Sequence, residues 1–200
     1  MNLTADQVYA LQEIVNIGVG RAAAMLNQMI QFPIRLQIPY IKILSPLEVK
    51  LELENRLGDN TISAVQLGFD GPFYGSAQLV FPIESASLLV AILTGEELGD
   101  PELDSLKMGT LSEVGNILLN GVMGSISNIL HERLDYTVPS YTEDTVENLW
   151  RFNELDGNSS ILLAQARFTV EELHIEGDVI VLFKMGSFQS LMKAIAQKTG

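Results

Sequence analysis

Leu11-Gln12-Glu13-Ile14-Val15-Asn16-Ile17-Gly18 and, one hundred residues on, Leu111-Ser112-Glu113-Val114-Gly115-Asn116-Ile117-Leu118 are two copies of one pattern. Leu, Glu, Asn and Ile recur at the same places, and Pro39 is answered by Pro139 at the same shift. Further along, Leu79-Val80-Phe81 matches Val181-Leu182-Phe183 and Ser85 matches Ser187, at a shift of 102. The two-residue drift fits a changed loop. A repeat constrains architecture before any motif does, and two copies are too few for a solenoid. The 200 residues are therefore read as one domain of two repeats, about 1–96 and 104–200. The fold class is α/β (α+β): a pseudo-two-fold arrangement of two helix–strands–helix units sharing one sheet and core.

Within the first copy, residues 4–30 read as a helix. Thr4 and Asp6 are helix-start residues, apolar side chains recur at 8, 11, 15, 22, 26 and 29, and Pro33 stops the run. Strands are expected over 34–44, 47–54, 61–69 and 74–82, with Asp70-Gly71-Pro72 as a turn. The segment 47–54 is included because Leu47, Val49, Leu51 and Leu53 alternate with polar residues. A helix over 84–94 ends at Gly95. The second copy repeats the order: a helix over 104–130, strands near 135–139, 160–170 and 177–185, and a helix over 187–197. Residues 141–158 are the least patterned and read as an exposed loop with a short strand around Trp150.

On a helical wheel, Val8, Leu11, Val15, Ala22, Leu26 and Met29 fall on one side of the first helix. Tyr9, Glu13, Asn16 and Gly20 fall on the other. In the second helix, Leu111, Gly115, Leu118, Val122, Ile126 and Ile129 face inward, and Gly109, Glu113, Asn116 and Asn120 outward. Glu13 with Asn16, and Glu113 with Asn116, are i, i+3 neighbours that point outward together. A solvated helix face accounts for one such pair. Two count for more, because Asn is a poor residue for a helix interior, its side chain competing for backbone hydrogen bonds. Gly18, Gly20, Ala22, Ala23 and Ala24 in one helix, and Gly115, Gly121 and Gly124 in the other, would let another surface come close.

Composition removes whole classes of partner. The net charge of −13 disfavours nucleic-acid backbones and anionic membrane surfaces. No apolar run approaches the roughly 20 residues of a spanning helix. There is no cysteine, and the first residues lack a signal-peptide pattern, so a cytoplasmic protein is expected. Gly18-Val-Gly20-Arg-Ala-Ala23 imitates a dinucleotide fingerprint but sits inside a helix, without the strand that fingerprint requires. His131 and His174 stand alone, with no ligand at metal spacing.

The residues Glu13, Asn16 and Pro39, and again Glu113, Asn116 and Pro139, resemble the motif of the CheC/CheX/FliY phosphatases of bacterial and archaeal chemotaxis. That motif is Asp or Ser, three residues, Glu, two residues, Asn, then 22 residues and Pro. Both copies match at Glu, Asn and Pro, and the likeness covers nearly the whole chain. The Asp/Ser position is Tyr9 in one copy and Gly109 in the other, so a hydrogen bond the family draws from it is missing twice.

The resemblance implies a CheC-like fold of the two-motif type and hydrolysis of phospho-aspartate on a CheY-like receiver domain. It assigns Asn16 and Asn116 to positioning the attacking water, and Glu13 and Glu113 to docking on the regulator's lysine. It implies no cofactor of the chain's own, with Mg²⁺ on the regulator, and the receptor deamidase CheD as a further partner. No FliY-like switch extension is seen, which favours a free protein over a motor component. The competing reading is a non-catalytic module of the same fold that grips a receiver, CheD or a flagellar switch protein. Pro39 and Pro139, far along the chain from the helices, are read as structural.

Overall fold

The computed structural model describes residues 3–98, 101–150, 160–184 and 188–199. Helix α1 (Ala5–Ile30) starts at Thr4, whose hydroxyl accepts from Gln7 N while the Gln7 side chain accepts from Thr4 N. It ends at Gln31, which adopts the left-handed conformation ahead of Pro33. The expected strand over 34–44 is two short pieces, β1 (Arg35–Leu36) and β2 (Tyr40–Leu44), interrupted at 37–39.

The expected strand over 47–54 is a helix, α2 (Pro46–Leu57). Ser45 caps it and Glu48 returns the hydrogen bond to Ser45 N at 2.7 Å, with Pro46 in the first turn. This capping signature outweighs the alternation of leucines. Val49 and Leu53, one turn apart, are fully buried, whereas Leu47 and Leu51 are exposed. The period-two reading had counted both pairs as one face.

Strands β3 (Ile62–Asp70) and β4 (Gly75–Pro82) and helix α3 (Ile83–Thr94) complete the first half. Helix α4 (Pro101–Leu130), β5 (Asp135–Tyr136) and β6 (Ser140–Asp144) open the second. The segment expected as a loop with a strand near Trp150 contains β6 and a short helix, α5 (Val146–Trp150); its remainder, 151–158, lies outside the described residues, as does Ser187. Then follow β7 (Ile161–Val170), a 3-10 turn (Glu171–Leu173), β8 (Ile175–Lys184) and α6 (Phe188–Thr199).

All strands join one antiparallel sheet in the order β1/β2, β7, β8, β4, β3, β5/β6. Each half hands its short strands to the other: β1 and β2 pair with β7, and β5 and β6 with β3. At the centre, β4 meets β8 with Gln78 opposite Ile180, its own equivalent at the shift of 102. The pseudo-two-fold axis passes there, and neither half has a complete sheet without its partner.

One face of the sheet carries the main core, with α1, α3, α4 and α6 over Val65, Leu67, Leu79, Phe81, Val181 and Phe183. The opposite face carries a smaller core of Val49, Leu53 and Val146 on Ile62, Val80, Ile161 and Ile180. On that face Asp178, only 2% exposed, accepts from Arg167 Nη2 at 3.0 Å and from Gln165 Nε2 at 2.9 Å. Arg167 Nη2 also donates to Arg56 O at 3.0 Å, which ties the end of α2 to the sheet. A charge so deep is tolerated because it is paired and hydrogen-bonded.

A second polar contact fixes α4. Lys107 Nζ lies 2.5 Å from Glu143 on β6, and Glu143 also accepts from Ser63 at 3.2 Å and from Tyr141. Burial pushes the Glu143 carboxyl up, but Lys107 and these hydroxyls outweigh it and hold it below the ordinary 4.5. A carboxyl depressed in the folded state stabilises the fold above its unfolded value and loses that contribution as pH falls through the folded value. Glu143→Gln should therefore lower the melting temperature at pH ~7, and the difference from wild type should shrink on acidification to pH ~3.5. Melting curves at both pH values check this; a difference independent of pH would show that the carboxylate charge plays no part.

Candidate functional site

Both copies of the Glu/Asn pattern lie on helices packed side by side over the same face of the sheet. Leu11, Val15, Ala22 and Leu26 of α1 are buried, and so are Leu111, Leu118, Val122 and Ile126 of α4. The opposite stripe of α1 leaves Tyr9, Glu13 and Asn16 exposed. On α4, Glu113 and Asn120 are exposed while Asn116, expected in the open, is half-buried.

The small residues have a packing role. A Cβ on Gly18 would meet Val122 O at 3.0 Å, and Ala22 and Leu118 line one small cavity. Arg21 donates to Ser125 Oγ at 3.4 Å, and Met25 Sδ lies 3.1 Å from where a Cβ on Gly121 would stand. These juxtapositions come in exchanged pairs, Gly18 facing Val122 and Ala22 sharing a cavity with Leu118, then Arg21 with Ser125 and Met25 with Gly121, as a two-fold demands. At Gly18 and Gly121 the surface that approaches closely is thus the other repeat's helix, whereas Gly20 and Gly124 have open space around them. Gly115 performs the same task against the sheet, lying on Val65 of β3.

Pro39 and Pro139, remote along the chain, come back to the motif helices. Gln12 Nε2 donates to Pro39 O at 3.0 Å. Pro139 lines an open concavity of about 460 Å³ with Tyr136, Thr137, Val138, Gly109, Ser112, Glu113 and Asn116. Each proline stands directly before a strand, β2 or β6, where its missing N–H ends the pairing of the preceding short strand. That matches the structural part of the expectation; the proximity to the helices was not foreseen. The residues before them, Ile38 and Val138, are 82% and 88% exposed. With Tyr9, Ile17 and Met108, also exposed, they put apolar side chains around two Glu/Asn pairs on a strongly acidic chain.

The two sites differ in detail. Asn120 Nδ2 donates to Asn116 O and to Asn116 Oδ1, each at 2.7 Å. The residue equivalent to Asn120 in the first copy is Gly20, which has no side chain to offer. Gly109, opposite Tyr9 in the repeat, has open space around the position of a Cβ. Asn120 stands in the outward stripe of the wheel, and its spacing of four from Asn116 is the sequence signal of this contact.

Chemically, each site offers an anionic carboxylate that can meet a cation and a neutral amide that can donate and accept. Among the described residues no group of three or more His, Asp or Glu side chains could hold a metal ion. Among them, too, no helix is long and apolar enough to cross a membrane.

No protein-family model matches the chain. Its sequence is similar to the CheY-P phosphatase CheC of Bacillus subtilis, 23% identical over 203 residues, covering 95% of this chain and 94% of that protein. Its fold is similar to that of FliY from Thermotoga maritima, with a TM-score of 0.77 at 16% identity over 99% of this chain and 100% of that one. The middle domain of FliM from H. pylori shares the fold at a TM-score of 0.65 and 13% identity, over 96% of this chain and 99% of that one. So does a chain of the CheX–CheY–BeF3–Mg²⁺ complex from Borrelia burgdorferi, with a TM-score of 0.55 and 22% identity over 86% of this chain and 98% of that one.

Proposed function

We propose, for a chain whose sequence relatives and fold neighbours together support the CheC/CheX/FliY family, that it hydrolyses the phospho-aspartate of a CheY-like receiver domain. The observation that carries this reading is the Glu/Asn pair presented twice, on equivalent turns of α1 and α4, each beside a proline and an exposed apolar side chain. The name and substrate of the Bacillus relative support it.

In the reaction, a water oxygen forms a bond to phosphorus as the bond from phosphorus to the aspartyl oxygen breaks. The bonding pair leaves on the regulator's carboxylate, and the water's proton passes to the phosphate product and solvent. Such a transfer needs little covalent help, so alignment and charge stabilisation dominate. Asn16 and Asn116 hold the water in line. Glu13 and Glu113 pair with the regulator's lysine, and Ile38 and Val138 bury against the docked surface. The Mg²⁺ that neutralises the phosphoryl group is the regulator's own. The same reading puts the protein in the cytoplasm, where receivers work, and keeps CheD as a second partner.

Phosphorylating a receiver domain, adding this protein and following phosphate release tests the proposal. The Glu contact forms on docking and persists, so it contributes mostly to KM. Glu13→Ala with Glu113→Ala should raise KM by roughly tenfold and change kcat less. A double Glu variant with unchanged KM and binding would remove these carboxylates from the interface. The absence of Asp or Ser at Tyr9 and Gly109 favours the second reading, a receiver-binding module. Tight binding of the phosphorylated receiver with no phosphate release by the wild-type chain would put that reading first.

A further inference from the structure

The second Glu/Asn pair has a polar neighbour that the first lacks, and hydrogen-bond chemistry sets its direction. A backbone carbonyl can only accept, so the group that Asn120 turns toward Asn116 O, at 2.7 Å, is its NH2. The same NH2 lies 2.7 Å from the Asn116 side chain, which must answer with its oxygen. The two heteroatoms of an amide diverge from one carbon, so with Asn116 Oδ1 committed to Asn120, Asn116 Nδ2 is left to donate elsewhere.

We propose that Asn120 is a positioning residue for the second site, holding the Asn116 amide with its N–H groups toward the docked receiver before the receiver arrives. The proposal rests on the phosphatase reading and adds a residue to it. In this orientation Asn116 grips the attacking water by one lone pair of its oxygen and leaves the other for phosphorus. An amide whose oxygen already accepts a hydrogen bond is also the stronger donor. At the first site Gly20 offers no such restraint, and Asn16 is ordered only as the water is aligned in the chemical step.

The repeat supplies a test in both directions. Ordering one polar side chain in advance is worth roughly three- to tenfold in rate. With the first site silenced by Asn16→Ala, Asn120→Ala should lower kcat by about three- to tenfold and leave KM unchanged. Asn120→Asp, which cannot donate to Asn116, should lower it at least as far. With the second site silenced by Asn116→Ala, Gly20→Asn should raise kcat of the first site by about three- to tenfold. Nothing lies within 4 Å of a Cβ at Gly20, and Asn is the better helix former, so this variant should fold.

A purely structural role for Asn120 predicts no gain from Gly20→Asn. Unchanged kcat in that variant, or in Asn120→Ala, overturns the positioning role while wild-type phosphatase activity stands. A wild-type chain that binds the phosphorylated receiver without releasing phosphate overturns the phosphatase reading, and the positioning role falls with it.

Discussion

Asn16→Ala combined with Asn116→Ala should bring dephosphorylation of the receiver down to the rate of the receiver alone, while receiver binding persists. Each amide acts on the water, which becomes a nucleophile only in the chemical step, so its loss appears in kcat. Removing one preorganised polar group of this kind typically costs about 10²–10³ in kcat. Either single substitution leaves the other site working and should retain a large part of the activity. Folding offers a control. Asn16 is exposed and Asn116 half-buried, both in helix interiors, where Ala is the better helix former. The double variant should melt no lower than wild type. Steady-state phosphate release, a binding titration and a melting curve on the same samples settle the matter. Full turnover in the double variant would take both amides out of the mechanism and leave the binding module in front.

Gly115→Val should be the most damaging single substitution near the second site, although it installs the residue that the first copy uses at that place, Val15. A Cβ on Gly115 would stand 2.4 Å from Val65 Cγ1 and 2.6 Å from Val65 Cβ, far inside contact distance. Val65 is itself buried in the main core and has nowhere to move. Helix α4 would have to lift from β3, at a cost of about 3 kcal/mol or more. For a domain of this size that is a fall of roughly 6–12 °C in melting temperature. The lift carries Glu113 and Asn116 with it, so in an Asn16→Ala background phosphate release should fall as well. Gly109→Ala on the same helix is the comparison, because it faces open space and should leave stability unchanged or slightly raised. A Gly115→Val protein that melts with the wild type would mean that α4 does not sit on β3 as described.

The leucines at 47 and 51 show where the sequence was misread and why. Alternation over four apolar residues fits a strand as well as a helix that buries every second one of them, and only Ser45-Pro46-Leu47-Glu48 distinguished the two. The cap was legible locally; its weight against the alternation was not. Asn116 is more covered than its place on the wheel implies. The wheel placed it outward, but a wheel knows one helix, and Asn116 is half-covered in a site where the chain from Tyr136 to Pro139 comes back to α4.

By itself the sequence determined the two-fold repeat, the helices α1 and α4, their buried and exposed stripes, and the pairing of each Glu with an Asn. These are properties of spacing, and spacing survives without knowledge of what packs where. The tertiary structure alone decided that each half lends its short strands to the other, with Tyr40 beside Gln165 and Ser140 beside Gln66. It alone brought Pro39 to Gln12 and gave Gly18 and Gly121 to the mutual packing of α1 and α4. These contacts join residues far apart in the chain, and which distant surfaces meet depends on burying both faces of one shared sheet, a requirement that no local window of sequence expresses.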